Sequence, residues 1–134
     1  MPRHQFAEQF GEHMRRTQSA YAARQLDEYL AGFAETYSSV QLHTNWTEDK
    51  PALRQKIEQD FQRFELLSMD FEIQQEWYAG ETGFALLKYL TRLQTSEGRV
   101  LKDRRENIIV CEHSGGGRWL IVSKIVIHAE NQYE

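Results

Sequence analysis

A few side chains in this 134-residue chain have types and spacings that bear on chemistry. His43 ends a short β-leaning segment, Thr36 to His43. Imidazole titrates near neutral pH and can act as a general base where it faces an apolar cavity. The competing reading is a rim or surface histidine, since no orienting partner is visible beside it. Arg105 and Asn107 stand two apart in a β-pattern and so share one strand face. A guanidinium there could bind a carboxylate or pair with a buried acid. A one-residue change of parity would put Arg104 and Glu106 inward instead; the expectation is Arg105 inward. Cys111 falls on the same parity, with His113 two residues on. A nucleophilic cysteine needs a lowered pKa and a nearby base, and a buried, inert thiol is expected here.

Several chemistries find no support. The five histidines, His4, His13, His43, His113 and His128, lack metal-ligand spacing, so no metal site is expected, and no cofactor motif is present. Gly115-Gly116-Gly117 is followed by a strand pattern and not by a helix start, which makes it a hairpin turn and not a phosphate loop. The net charge of -4 disfavours nucleic-acid binding driven by overall field. Arg15-Arg16 and Lys102 with Arg104-Arg105 read as solvated or ion-paired clusters. The single cysteine allows no intramolecular disulfide. No apolar run of about 18 residues exists, so no membrane span is expected. Met1-Pro2-Arg3-His4-Gln5 lacks the apolar core of a signal peptide, and a cytoplasmic location is the expectation.

The elements that must position these groups follow from periodicity. Phe6, Phe10, Met14, Thr17 and Tyr21 lie at helical spacing and predict an amphipathic helix over about 4–23. Leu26, Tyr29, Leu30 and Phe33 predict a second helix. Asp49 as cap and Pro51 in the first turn predict a third, with Leu53, Ile57, Phe61 and Phe64 on its apolar stripe, running to about Leu66. Beyond residue 67 the period becomes two. Met69 to Trp77 alternates apolar with acidic or amide residues, as a half-exposed strand does. Strands over Phe84–Thr95, Arg99–His113 and Arg118–Ala129 follow, and Glu130 to Glu134 reads as a frayed end. Arg118 to Ile127 is apolar on both faces, so both must be covered. One domain over 1–134 is expected, of the α+β class, with three N-terminal helices packed on a strongly curved, mostly antiparallel sheet. An aromatic content of 12% hints at a cavity, because aromatic rings commonly line pockets.

With this element order, the segment Leu26-Asp27-Glu28-Tyr29-Leu30-Ala31-Gly32-Phe33-Ala34-Glu35 and the ending Gly117-Arg118-Trp119-Leu120-Ile121-Val122 make the chain resemble the nuclear-transport-factor-2-like superfamily, with its SnoaL-like and ketosteroid-isomerase-like members. The resemblance covers nearly the whole chain. It implies a cone-shaped half-barrel wrapped round the first helix, an internal pocket, and dimers packed through the outer sheet face. By that pattern Trp119, Ile121, Ser123 and Ile125 point inward, while Leu120, Val122, Lys124 and Val126 point outward. A homodimer through Leu120, Val122 and Val126 is expected. Tyr21, Tyr37, Trp46 and Tyr89 become possible cavity residues, with plain core packing as the alternative for each. Isomerase-type relatives carry a carboxylate base at or near the position of Gln41, and glutamine cannot take a proton.

Fold alone cannot decide the activity. The missing carboxylate favours a binding or accessory module that holds a small hydrophobic molecule, through Tyr21, Tyr37, His43, Trp46, Tyr89, Arg105, Asn107, Trp119 and Ser123. The alternative is a SnoaL-like isomerase, dehydratase or cyclase in which His43 moves a proton on an apolar carbonyl compound. An adaptor role would show a second exposed apolar patch beyond the dimer face.

Overall fold

The computed structural model describes residues 3–116 and 118–134, with side chains from Gln5 onward. Gly117 of the expected glycine turn, and the side chain of His4, lie outside the described residues. Three helices, α1 (Arg3–Ala22), α2 (Leu26–Leu30) and α3 (Lys50–Arg63), pack on one curved, unclosed sheet. Its strands are β1 (Phe33–Gln41), β2 (Thr47–Asp49), β3 (Phe64–Ala79), β4 (Thr82–Thr95), β5 (Val100–Gly115) and β6 (Arg118–Tyr133). They lie in the order β2-β1-β6-β5-β4-β3. Only β1 and β6 run parallel; every other neighbouring pair is antiparallel. No helix among the described residues is long and apolar enough to cross a membrane.

Helix α1 lies across the concave face because its apolar stripe has nowhere else to go. Phe6 and Phe10 are fully buried, and each such burial stabilises by about 1.5–3 kcal/mol over exposure. The Phe6 ring meets Trp119 of β6 edge-on at 4.9 Å between centroids. Trp119 Nε1 donates to Gln9 Oε1 at 2.6 Å, which ties β6 to the same helix. Beneath Phe6 lies Gly83 of β4, where no side chain could stand.

The helix boundaries differ from the sequence expectation in two places. Phe33 opens β1 and does not continue α2, because the backbone N–H of Ile121 already captures Gly32 O at 2.9 Å. Helix α3 starts as expected, with the Asp49 carboxylate accepting from Ala52 N at 2.9 Å and a proline in the first turn. It stops at Arg63, before Leu66, and Phe64 turns at once to extended backbone and pairs with Thr95. The Arg24 guanidinium caps this end, donating to Phe61 O and, at 2.8 Å, to Phe64 O.

The C-terminus is ordered and not frayed. Glu130 to Tyr133 pairs with Leu101 to Arg104. Arg92 then donates to both oxygens of Glu134 at 3.1 and 3.0 Å, and Arg99 sits 3.9 Å over the Tyr133 ring.

The inward and outward sets on β6 also differ from the expectation. Val122 and Ser123 together face the single residue Val110, a β-bulge that reverses the alternation beyond it. Trp119 and Ile121 are buried on the concave side as expected. After the bulge Lys124 and Val126 take the concave side, while Ser123 and Ile125 take the convex one. Val126 is 1% exposed and so cannot serve an outer interface. Ser123 pairs with exposed Ser38, and Lys124 with buried Ser39.

The Phe6–Gly83 seat is directly testable. A Cβ on residue 83 would fall 2.2 Å from Phe6 Cε1. Gly83→Ala is expected to lower stability by about 1–3 kcal/mol, as overpacking does, and to lower the melting temperature by circular dichroism. An unchanged Tm would mean that α1 is not seated on β4.

Candidate functional site

Between α1 and the sheet runs a cavity of about 80 Å³. Helix α1 contributes Met14, Thr17, Gln18 and Tyr21, which share one face at spacings of three and four residues. Tyr29 of α2 and Phe33 of β1 close one side, and Met69 and Phe71 of β3 the other. The floor is Leu87 and Tyr89 of β4, Ile109 of β5, and Ile121 and Lys124 of β6. These floor residues meet because β4–β5 and β5–β6 pairing sets Leu87 beside Asn107 and Ile109 beside Lys124.

One end of this apolar chamber is charged. Lys124 is half-buried, and its amine makes no hydrogen bond or ion pair within 4 Å among the described residues. Burial pulls the amine down from 10.5 to about 8, helped by the like charge of Arg105 and opposed by Glu48 and Asp103. Lys56 of α3 is likewise lowered, first by burial and then by Lys124 and Arg105. The acids around them are engaged elsewhere. Asp103 Oδ2 accepts from Arg105 Nε at 2.9 Å. Glu48, buried on β2, accepts from the Tyr37 hydroxyl at 3.5 Å. Asp60 of α3 lies beside the Tyr21 hydroxyl, and burial raises its pKa.

The tyrosines form a second feature. Burial raises the pKa of Tyr21, Tyr29, Tyr37 and Tyr89, so all four are neutral phenols at ordinary pH. Tyr89 accepts from Asn107 Nδ2 at 2.7 Å, which leaves its own proton to donate. Asn107 is fully buried, and its Oδ1 has no partner. The same holds for Gln18 Nε2 and Asp103 Oδ1. Unmet polar atoms at this depth are uncommon in folded proteins.

The residues singled out from sequence divide into three groups. Tyr21 and Tyr89 line the cavity, and Arg105 and Asn107 sit on its concave wall nearby. Tyr37 and Trp119 are core residues, held by Glu48 and Gln9. His43, Trp46 and Ser123 lie elsewhere. His43 is exposed with φ 65 in the tight turn after β1, which Thr44 closes by donating to Gln41 O at 3.0 Å. Trp46 is 37% exposed, with the Lys56 amine 6.0 Å over its ring. Ser123 is on the convex face, past the bulge. Cys111 is fully buried with its pKa raised to about 12, so its thiol stays protonated. His113 is 3.2 Å from Glu81. Among the described residues no cluster of three His, Cys, Asp or Glu could hold a metal ion. Lys124, Tyr29 and Gln18 are polar wall residues that sequence reasoning missed. The first needed the bulge; Tyr29 sits in a helical stripe that reads as core, and Gln18 is a polar residue beside one.

The geometry has close structural relatives. A conserved protein from Planctomyces limnophilus DSM 3776 superposes with a TM-score of 0.86 at 11% identity, covering 97% of this chain and 100% of the other. An NTF2-like protein of unknown function in nutrient uptake from Rhodospirillum rubrum gives 0.71 at 14% identity over 87% and 95%. This chain has the NTF2-like fold. A ketosteroid isomerase-like protein from Erwinia carotovora atroseptica gives 0.68 at 12% identity over 87% and 91%. No protein-family model and no curated protein sequence matches the chain. At these identities the likeness extends to the fold alone, so the cone interior of this chain must be read from its own side chains.

Proposed function

We propose that this protein is a homodimeric module that binds a small, largely apolar molecule in the cone cavity, in a binding or accessory role. The observation that carries this reading is the chamber itself, walled by aromatic and aliphatic side chains with a few polar groups at one end. Drug-sized sites span about 300–1,000 Å³, and an apolar hole of about 150 Å³ takes benzene. The cavity here is about 80 Å³, which suits one ring or a short chain once Met14 or Met69 yields, as methionine side chains do. Proton transfer on an apolar carbonyl compound has less support. By the family resemblance the carboxylate base of isomerase-type relatives falls at or near Gln41, which cannot take a proton, and His43 lies outside the cavity wall. Millimolar indole or toluene is expected to raise the wild-type Tm, and Ile109→Phe, which fills the floor, to abolish the shift. A wild type unmoved by either compound counts against ligand binding.

The dimer rests on the convex face. Leu120, Val122, Ile125, Ile108 and Val110 are half-buried there, and Trp77 is 46% exposed. Such a patch is typical of an interface between copies. Light scattering is expected to give twice the 15.8 kDa chain mass, and Ile125→Glu to halve it. A monomer mass across micromolar concentrations would exclude the dimer.

A further inference from the structure

We infer that the cavity selects a small apolar monocarboxylate, a single ring or short chain whose carboxylate meets the Lys124 amine; this rests on the cavity being a ligand site.

Donor groups stand out among the polar side chains that line the chamber, while the unmet acceptors Asn107 Oδ1 and Asp103 Oδ1 belong to residues outside its lining. The Lys124 amine has no counter-ion within ion-pair distance among the described residues. The Tyr29 hydroxyl makes no hydrogen bond to a described residue, and the Tyr89 hydroxyl keeps its proton to give. Gln18 Nε2 in the α1 wall has no acceptor. On the α1 side, Thr17 Oγ1 is turned to its own helix and donates to Met14 O at 2.9 Å, and the Tyr21 hydroxyl lies beside the Asp60 carboxylate. A ligand that fits must therefore bring acceptors, and a carboxylate brings two oxygens with about four lone-pair directions.

Charge points the same way. A half-buried ammonium without a partner is costly, and an anion delivered by the ligand removes that cost. The charged groups around Lys124 come from three other elements. Lys56 on α3 and Arg105 on β5 add positive potential; Glu48 on β2, and Asp103 on β5, oppose it. Asp103 is bound to Arg105, and Glu48 to Tyr37, so neither closes on the amine. The rest of the wall, Phe33, Phe71, Leu87, Ile109 and Ile121, has no polar group to offer a second charged end. One anionic head on an apolar body is the complementary shape.

Lys124 also gives the site a defined pH response. In the empty protein the amine is charged below about pH 8. A bound carboxylate raises that pKa. Affinity is therefore highest below about pH 8 and falls as pH rises, until the pKa of the complex is passed.

Calorimetry with benzoate and its neutral isostere benzamide tests the inference. At pH 7 wild-type protein is expected to bind benzoate at least about tenfold more tightly than benzamide, as a charge-assisted bond does. Benzoate affinity should fall between about pH 8 and 10, while benzamide affinity stays flat. Lys124→Met, close in volume and free of the buried charge, should bring the two ligands to within about threefold; its Tm reports whether it folds. The wild-type pH profile stands even if the variant does not fold. Equal binding of the two ligands, or a flat benzoate profile, would overturn the charge assignment and leave the apolar site intact. Binding of neither ligand would overturn both.

Discussion

Val122 and Ser123 stand against one residue, Val110, where a regular ladder would set one against one. Everything downstream on β6 is displaced by a single position. Because strand faces alternate with period two, that extra residue exchanges the two sides of the sheet. Lys124 goes to the concave face and Ile125 to the convex one. Without the bulge the chamber would have an isoleucine and a serine on that part of its floor and no cation. The convex face would carry a lysine in the middle of its apolar patch. The same insertion thus serves both sides: it places a charge inside the cone and removes one from the surface proposed for pairing.

The bulge is held by its neighbours on both edges. β1 runs parallel to β6 and pairs Ser39 with Lys124 and Gln41 with Val126, so the shifted register is confirmed from the other side. Val126 is then sealed at 1% exposure. A second irregularity opposite Glu106 and Asn107 changes the alternation again toward the C-terminus. Two such offsets in one strand add twist and bend the sheet around α1. The bulge that puts an amine in the cavity thus also adds to the curvature that makes room for it.

Much of the architecture is legible from periodicity. The α1 stripe of Phe6, Phe10 and Tyr21, the Asp49–Pro51 start of α3, and the switch to period two after it all reflect local rules with strong side-chain signals. The places that escaped notice are set by pairing between distant segments. Phe33 is helical by spacing but is claimed by β6 through Gly32 O. Glu130 to Tyr133 looks frayed by composition but is paired to β5 and pinned by Arg92. The bulge has no clear sequence mark, since apart from the adjacent Ser123 and Lys124 the run Leu120 to Ile127 is apolar on both parities. Parity alone leaves either Arg105 with Asn107 or Arg104 with Glu106 to face the cone, and pairing with Tyr89 and Leu87 puts Arg105 and Asn107 on the concave side; Lys124, one strand over, is placed by the bulge.

A lysine amine sits inside the cone, half-buried and with no counter-ion within 4 Å among the described residues. Its titration reads that environment without any ligand. In protein labelled with 13C-lysine, the Lys124 Cε resonance, assigned by its loss in Lys124→Arg, can be followed through alkaline pH. An inward amine predicts a midpoint of about 8. A midpoint near 10.5, the value of a solvated lysine, would place Lys124 in water and contradict both the bulge register and the charged end of the cavity.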